Sequence, residues 1–296
     1  MEIPAWPASR PPDISDKPRF DNIFKQLQPR VSELTFAGLF LFRTAHDYAL
    51  TRIKESVVVL GKGYDCRCYS LPPMGGDVSG VCDACDLLLV AGLELYGFDE
   101  AYAARFLKDV VCEIVEDRES FDYLYLREEM ATLPGNRFHK KKNRINYFAT
   151  RHNHEVHTFS AQYLCGCLQL LDEWARVAEV EGNHSFGLEM EATAEALAQA
   201  DALGLEGVVV TVEGAVRAFA VGERLNHETA VCHFEKADHF MEGLSQLVNR
   251  EFARLLFTDC RYINREQDLG EPGLRNAKLS YHPVELVKKF RVHRTQ

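Results

Sequence analysis

The strongest constraint on the fold is the regular alternation of apolar patterns in the second half of the chain. Residues 189–203 have the spacing of an amphipathic helix, and Gly204 supplies a C-terminal stop. Two strand-type runs on either side of residues 213–214 predict a hairpin. The pattern then predicts a strand, a long helix, a short strand, a short helix and a closing strand at 230–234, 240–255, 261–263, 274–279 and 284–292. This order indicates an α/β fold of the α+β type with a mixed sheet.

The first half mixes strand and helix patterns less regularly. Residues 56–60 predict a buried strand and 66–71 its hairpin partner. Residues 81–96 predict a helix that ends at Gly97, and 110–115 predict another strand. We therefore expect four parts along the chain: an extended, proline-rich N-terminal arm (1–19), an N-terminal domain (20–160), a connecting helix (161–186) and a C-terminal domain (187–296).

Composition restricts where the protein works and what it binds. The chain has 296 residues and a formal net charge of -10. Because this overall charge is negative, any phosphate is expected to bind at a local basic patch. No run of eighteen apolar residues occurs, and the N-terminus lacks the features of a signal peptide, so a cytoplasmic protein without a membrane span is expected. In that compartment the nine cysteines are expected to be free thiols.

Residues 137–151 predict a helix with one basic face. At 100° per residue, five cations fall on a single stripe: Arg137, Lys140, Lys141, Arg144 and Arg151. Asn136 is predicted to cap the helix N-terminus. The stripe places several charges along a phosphodiester strand, so it predicts phosphate binding. The alternative is a solvated face whose cations pair with neighbouring acids.

The segment 264–278 concentrates charge near the C-terminus, because six of its fifteen residues are ionisable and glycines interrupt it. Glu266 or Asp268 can hold an ammonium group or deprotonate an attacking amine. Lys278 can stabilise a tetrahedral intermediate. The alternative is a surface loop closed by internal salt bridges.

Two acids follow the strand predicted at 230–234. Glu235 and Asp238 lie between that strand and the next helix, where α/β folds commonly build sites. Both are predicted to bind substrate. Asp238 has a second interpretation, as the N-cap of a helix that begins at His239.

Cysteine and histidine spacings offer two candidate metal sites. Cys66 and Cys68 with Cys82 and Cys85 have zinc-like spacing, but the first pair alternates on a predicted strand and the second lies in a helix-like run. The histidines of residues 152–157 are better explained as polar strand residues. No metal is therefore expected.

Two of these segments carry a resemblance to a known family. Residues 133–146 read LPGNRFHKKKNRIN, and residues 274–283 read LRNAKLSYHP. The first resembles the basic helix in the C-terminal region of the phosphatidylglycerol lysyltransferase family. The second resembles that family's terminal Phe-Lys-x-Lys-Phe-x-Pro motif, with Lys278 at the first lysine and Tyr281 near the aromatic. Bacterial proteins grouped with that region share the strings at 235–238 and 264–270.

The resemblance implies two tandem GNAT-like domains of the acyl-CoA N-acyltransferase fold, and the element order of the second half is also that of a GNAT domain. It implies transfer of an aminoacyl group from aminoacyl-tRNA to a hydroxyl or amine. The expected site residues are Lys278, Glu266 and Asp268 for catalysis, Glu235, Asp238, Asn264, Arg265 and Tyr281 for substrate, and Arg137, Lys140, Lys141 and Arg144 for the phosphates of tRNA.

Two departures from that pattern refine the expectation. The lipid-modifying enzymes carry a membrane domain, whereas this sequence has no membrane-spanning run, so a small-molecule or peptide acceptor is expected. Many GNAT acetyltransferases bind acetyl-CoA with a glycine-rich loop, but residues 235–243 are acidic and contain one glycine. Acyl-CoA is therefore the alternative donor. A CoA-dependent N-acyltransferase and a non-catalytic binding protein on the same fold are the two alternative functions.

Overall fold

The structure is a computed structural model that describes residues 2–63, 66–181 and 184–295, the side chains of 177–186 excepted. The first elements are α1 (Lys17–Leu27), α2 (Phe36–Leu41), β1 (Ala49–Ile53), β2 (Ser56–Lys62), β3 (Cys68–Ser70), α3 (Val78–Val90), β4 (Glu94–Phe98), α4 (Glu100–Phe106) and β5 (Cys112–Glu116). The later elements are β6 (Asp122–Leu126), α5 (Arg127–Thr132), α6 (His139–Ala149), β7 (His154–Thr158), α7 (Leu164–Glu181), α8 (His184–Ala198), α9 (Ala200–Leu203), β8 (Glu206–Val212), β9 (Ala215–Arg224), β10 (Thr229–Ala237), α10 (Leu244–Leu255), β11 (Tyr262–Asn264), α11 (Pro272–Leu279), β12 (Glu285–Val287) and β13 (Phe290–Arg294).

The chain forms two compact units, and each draws on separate stretches of sequence. Unit one contains the residues up to Asp122, then Gln267–Arg275 and the residues from Leu286 onward. Unit two contains Tyr123–Glu266 and Asn276–Glu285. The four continuous parts expected from sequence stay a prediction, and residues 182–183 of the expected connecting helix lie outside the described residues.

Unit one is built on a six-stranded mixed sheet in the order β1-β2-β3-β4-β13-β5. Its β3 and β4 pair in parallel and its other neighbours are antiparallel. Helix α3 contributes Ala84 and Leu88 to a buried cluster that also contains Leu95 and Phe98 of β4. The apolar face of α3 therefore supplies much of the driving force for this packing.

A buried ion cluster lies beside this sheet in unit one. The Lys289 side chain is fully buried, and its Nζ lies 2.6 Å from Asp122 Oδ1 and 2.7 Å from Glu33 Oε1. Burial lowers the pKa of Lys289, but the charges of Asp122 and Glu33 outweigh burial and raise that pKa overall. The lysine therefore stays charged and compensates the two carboxylates.

Unit two is built on a second mixed sheet, in which strands follow the order β6-β11-β10-β9-β8-β7. Strands β7 to β10 are antiparallel neighbours, β10 and β11 are parallel, and β11 is antiparallel to β6. Helix α10 packs on β8, β9 and β10 through Leu247, Val248 and Phe252, which recur at helical spacing.

The start of α10 approaches α6 closely at one glycine. Gly243 is the N-cap of α10 and has a φ of 95°. A Cβ on Gly243 would lie 2.0 Å from the carbonyl oxygen of Arg144 and 3.1 Å from the Cβ of Phe148. Glycine is therefore required here both for backbone conformation and for space, and α6 and the segment before α10 are held together.

Most of the predicted elements occur where the pattern indicates. Strands β2 and β3 form the expected hairpin, and β8, β9, β10, β11 and α11 confirm the order predicted for the second half. Gly204 ends α9 in the left-handed conformation, as predicted. In the described residues, no helix combines the length and apolar character that crossing a bilayer requires.

Two predicted elements are wrong, because each of the two apolar runs contains two separate secondary-structure elements. The helix predicted at 81–96 ends at Val90, Gly92 has a φ of 83°, and the chain then enters β4. The strand predicted at 284–292 is in fact β12 and β13, which belong to different sheets. Periodicity in a short apolar run does not separate these cases.

Helix α1 begins at Lys17, within the expected arm, and accommodates Pro18 in its first turn. Two predicted boundaries change. Asn136 does not cap α6: it begins a short 3₁₀ turn, and the N-cap of α6 is Phe138 without a side-chain bond. The long helix predicted from residue 240 begins at Leu244.

Candidate functional site

Unit two brings five charged or aromatic residues into one group, the charged cluster: Lys141, Glu235, Arg265, Lys278 and Tyr281. Glu235 projects from β10, Arg265 follows β11, and Lys278 lies near the end of α11 with Tyr281 just beyond it. Lys141 comes from α6. The cluster thus joins the basic helix to the terminal charged segment, the two regions singled out in the sequence.

An ion pair forms the inner part of the cluster. Arg265 Nη2 donates to Glu235 Oε2 at 2.9 Å, and Asn249 Nδ2 donates to the same oxygen at 3.0 Å. Burial lowers the pKa of Arg265, but the charge of Glu235 is the largest of several effects that raise it above its usual value. The guanidinium also lies 5.5 Å from the centre of the Tyr281 ring.

Lys141 is the cationic residue of α6 that enters the cluster. Its Nζ donates to Ser280 Oγ at 2.6 Å and lies 4.1 Å from the centre of the Tyr281 ring. Burial, followed by the positive charges of Arg144 and Arg265, lowers the pKa of Lys141 to about 8. Its neighbour Lys140 is exposed. Adjacent lysines on one helix therefore occupy different environments.

Lys278 holds the backbone of the preceding segment. Its side chain is buried, and Nζ donates to the carbonyl oxygens of Arg265 and Glu266. Glu266 has a left-handed backbone with a φ of 55°, which is costly for a residue with a Cβ. Tyr125 donates its hydroxyl to the Lys278 carbonyl oxygen at 2.8 Å. These bonds position Arg265; the catalytic role of Lys278 stays a prediction.

Glu266 is bound to a buried histidine. His233 Nδ1 lies 2.8 Å from Glu266 Oε1, and His233 Nε2 lies 3.0 Å from Glu223 Oε1. Burial lowers the pKa of His233, but the two carboxylates outweigh it and raise that pKa to about 10. Asn264 is buried and accepts the Glu266 N–H at 2.7 Å. In this arrangement the Glu266 carboxylate neutralises an imidazolium.

Like Glu266, two other predicted site acids lie outside the charged cluster. Asp268 belongs to unit one and is fully buried, with Arg275 bonded to both of its oxygens and Arg118 at 3.3 Å. Asp238 closes a turn by accepting the N–H of Phe240 at 3.0 Å. The N-cap interpretation of Asp238 is wrong, because α10 begins at Leu244 and its N-cap is Gly243. Their functional roles stay predictions.

The predicted basic stripe divides in two. Lys140 and Arg144 are exposed, and Arg144 lies 3.9 Å from Glu242; Arg137 pairs with Glu129. Lys141 instead turns toward the cluster. No local sequence signal points to the supporting groups Asn249, Ser280, Tyr125 and His233, because each acquires its role from a residue in another element.

In the described part of the chain, no group of three or more histidine, cysteine or acidic side chains is arranged so that it could hold a metal ion. All nine cysteines are free thiols, as predicted.

Comparison with known structures shows the class of fold first. The chain has the mixed α/β architecture of GNAT-like transferases, which confirms the predicted fold class. FemX, for example, aligns with a TM-score of 0.55 at 10% identity, over 96% of this chain and 96% of that chain.

The particular family follows from the sequence match. The profile of the phosphatidylglycerol lysyltransferase C-terminal family matches residues 24–293, and the chain belongs to that family. A conserved protein of unknown function from Bacteroides thetaiotaomicron aligns with a TM-score of 0.87 at 30% identity, over 97% of this chain and 99% of that one. L-PGS from Bacillus licheniformis aligns with a TM-score of 0.64 at 13% identity, over 100% of this chain and 95% of that chain. No curated protein sequence matches the chain.

Proposed function

We propose that this protein transfers an aminoacyl group from aminoacyl-tRNA to the amine or hydroxyl of a small-molecule or peptide acceptor, at the charged cluster. Its family is named for lysyl transfer, which supports aminoacyl chemistry.

The observation that carries the proposal is the divided face of α6. Lys140 and Arg144 remain exposed, where they can meet phosphates. Lys141, the residue after Lys140, places its amine against Tyr281 and Ser280. A single helix can thus bind the phosphates of the donor and place the Lys141 amine at the aminoacyl end of that donor.

In the proposed mechanism the acceptor attacks the ester carbonyl directly, and Lys141 serves as the general base. Neutral Lys141 takes the proton from the attacking nitrogen or oxygen as the new bond to the carbonyl carbon forms. The ester bond to the ribose oxygen then breaks, and that oxygen takes up the proton and leaves with the tRNA. A lowered lysine pKa suits this role near neutral pH, and the Arg265 charge stabilises the oxyanion.

The segment between β10 and α10 favours tRNA over acyl-CoA as the donor. Its N–H groups at Phe240, Met241 and Leu244 already donate to Asp238 Oδ1, the Asp238 carbonyl and the Met241 carbonyl. Glu242 adds negative charge to the same segment. A pyrophosphate would have to displace these bonds and approach a carboxylate.

A transfer assay tests the proposal. Purified protein is incubated with a mixture of tRNAs charged with labelled amino acids and with a metabolite and peptide pool, and labelled products are identified by mass spectrometry. We expect a product whose mass exceeds that of its acceptor by one aminoacyl residue. Product formed from acyl-CoA, with none from charged tRNA, would contradict the proposal.

A further inference from the structure

Unit two exposes a row of three aromatic rings that the transfer mechanism does not use, here called the aromatic row. Phe240 is 86% exposed, the highest exposure among the large apolar side chains of the described residues. The His239 ring centre lies 4.0 Å from that of Phe240, and Trp174 of α7 lies 5.7 Å from His239. A ring as exposed as Phe240 leaves apolar surface in water, and its place in a row of rings suggests a ligand with flat faces.

The aromatic row is held by hydrogen bonds at both ends. Trp174 Nε1 donates to the Ala237 carbonyl at 3.1 Å, which fixes α7 to the end of β10. The Phe240 N–H donates to Asp238 Oδ1, and the Met241 N–H donates to the Asp238 carbonyl at 3.1 Å. Phe240 is therefore presented on an ordered turn, which reduces the entropy that a ligand must remove on binding.

The segment that follows Phe240 packs on α6, the helix that carries the exposed cations. Gly243, three residues beyond Phe240, packs directly on the carbonyl of Arg144, and Arg144 lies 3.9 Å from Glu242. Lys140 is one helical turn from Arg144. Cations beside exposed rings are the combination by which proteins bind unpaired nucleic acid, since the cations meet phosphates and the rings stack on bases.

We propose that the aromatic row stacks the terminal base of the single-stranded 3′ end of an RNA whose phosphates lie along α6. The inference rests on the proposed function for the identity of that RNA, a tRNA. It adds a binding site for the donor that is separate from the charged cluster. Phe240 supplies the ring, and His239 and Trp174 support it from behind.

Fluorescence of a base analogue tests the proposal. A tRNA with 2-aminopurine in place of its terminal adenine is titrated with the full-length protein, and we expect quenching as the analogue stacks. Phe240→Ala should remove the quenching and weaken tRNA binding by roughly 5- to 100-fold, the range for one base–aromatic contact. Phe240→Trp should retain both signals. Phe240→Leu should lose the quenching, since it keeps apolar area without a ring.

Val111→Ala is the matched control, because Val111 is an exposed apolar residue of unit one; it should leave quenching and affinity unchanged. Quenching that persists in Phe240→Ala would overturn the proposal. So would a Phe240→Ala variant that loses affinity for coenzyme A while it binds tRNA normally. The quenching does not depend on transfer activity. Failure to detect aminoacyl transfer refutes the proposed function, whereas the quenching alone shows whether the aromatic row stacks a base.

Discussion

Replacing Lys141 with Arg separates proton transfer from phosphate binding. Arginine keeps the positive charge but does not release its proton in the working pH range. With a pKa of about 8, roughly 10% of Lys141 is neutral at about pH 7, against roughly 0.04% of an ordinary lysine. The environment of Lys141 therefore raises the concentration of the neutral base about 200-fold. Since the neutral fraction increases with pH, kcat/KM should rise through about pH 8 and then level off.

The assay is single-turnover transfer from preloaded tRNA between about pH 6 and about pH 9, corrected for spontaneous ester hydrolysis. Lys141→Arg should lose a factor of about 10² to 10⁴ in rate, and the ratio of wild-type to variant rates should rise with pH until about pH 8. Affinity for tRNA should change little, because the charge remains. Lys140→Arg is the control and should behave as wild type. A Lys141→Arg variant with full activity and an unchanged pH profile would refute the general-base assignment.

Three further substitutions, two in unit one and one in unit two, test the packing within each unit. Lys289→Met should lower the free energy of unfolding by about 3–5 kcal/mol in urea titrations, since it leaves the buried Asp122 carboxylate without its counter-ion; Lys288→Met, the control at a solvent-exposed ammonium, should change that free energy far less. Asp268→Asn should cost about 1–3 kcal/mol and spare the activity of the folded fraction, whereas a stable but inactive variant would support the predicted catalytic role. Gly243→Ala should lower both Tm and tRNA affinity, because its Cβ would displace α6; unchanged values would contradict that packing.

The predictability of the fold depended on how local the determining interactions are. The hairpin of β8 and β9 was predictable because its turn and both strands are continuous in sequence. Strand β4 was not, because its strand character depends on pairing with β13: Leu95 faces Val292, nearly two hundred residues later. The same distance explains the error at residues 284–292, where local alternation gives no sign that the chain moves from one sheet to the other.

The site was predictable in its residue types but not in its division of roles. Charge density in the terminal segment identified Arg265 and Lys278, and the end of a predicted strand identified Glu235; the structure brings these three together. Nothing local distinguishes Lys141 from Lys140, since both lie on the polar side of the same helix pattern. The difference arises from the Ser280–Tyr281 segment, which partly covers the Lys141 amine and leaves the Lys140 amine in solvent. Only tertiary packing carries that information.

The buried position of Lys278 changes how loss-of-function data on the terminal segment should be interpreted. Removing its ammonium would leave two backbone carbonyls without their donor and release the strained turn that carries Arg265. Activity would fall even if Lys278 never contacts the substrate, so a loss of rate alone does not identify a catalytic lysine. The pH profile does: a Lys278→Met variant should be slower at every pH but keep the rise toward about pH 8, because that rise belongs to Lys141. A Lys278→Met variant that instead loses the pH dependence would transfer the proton-accepting role to Lys278.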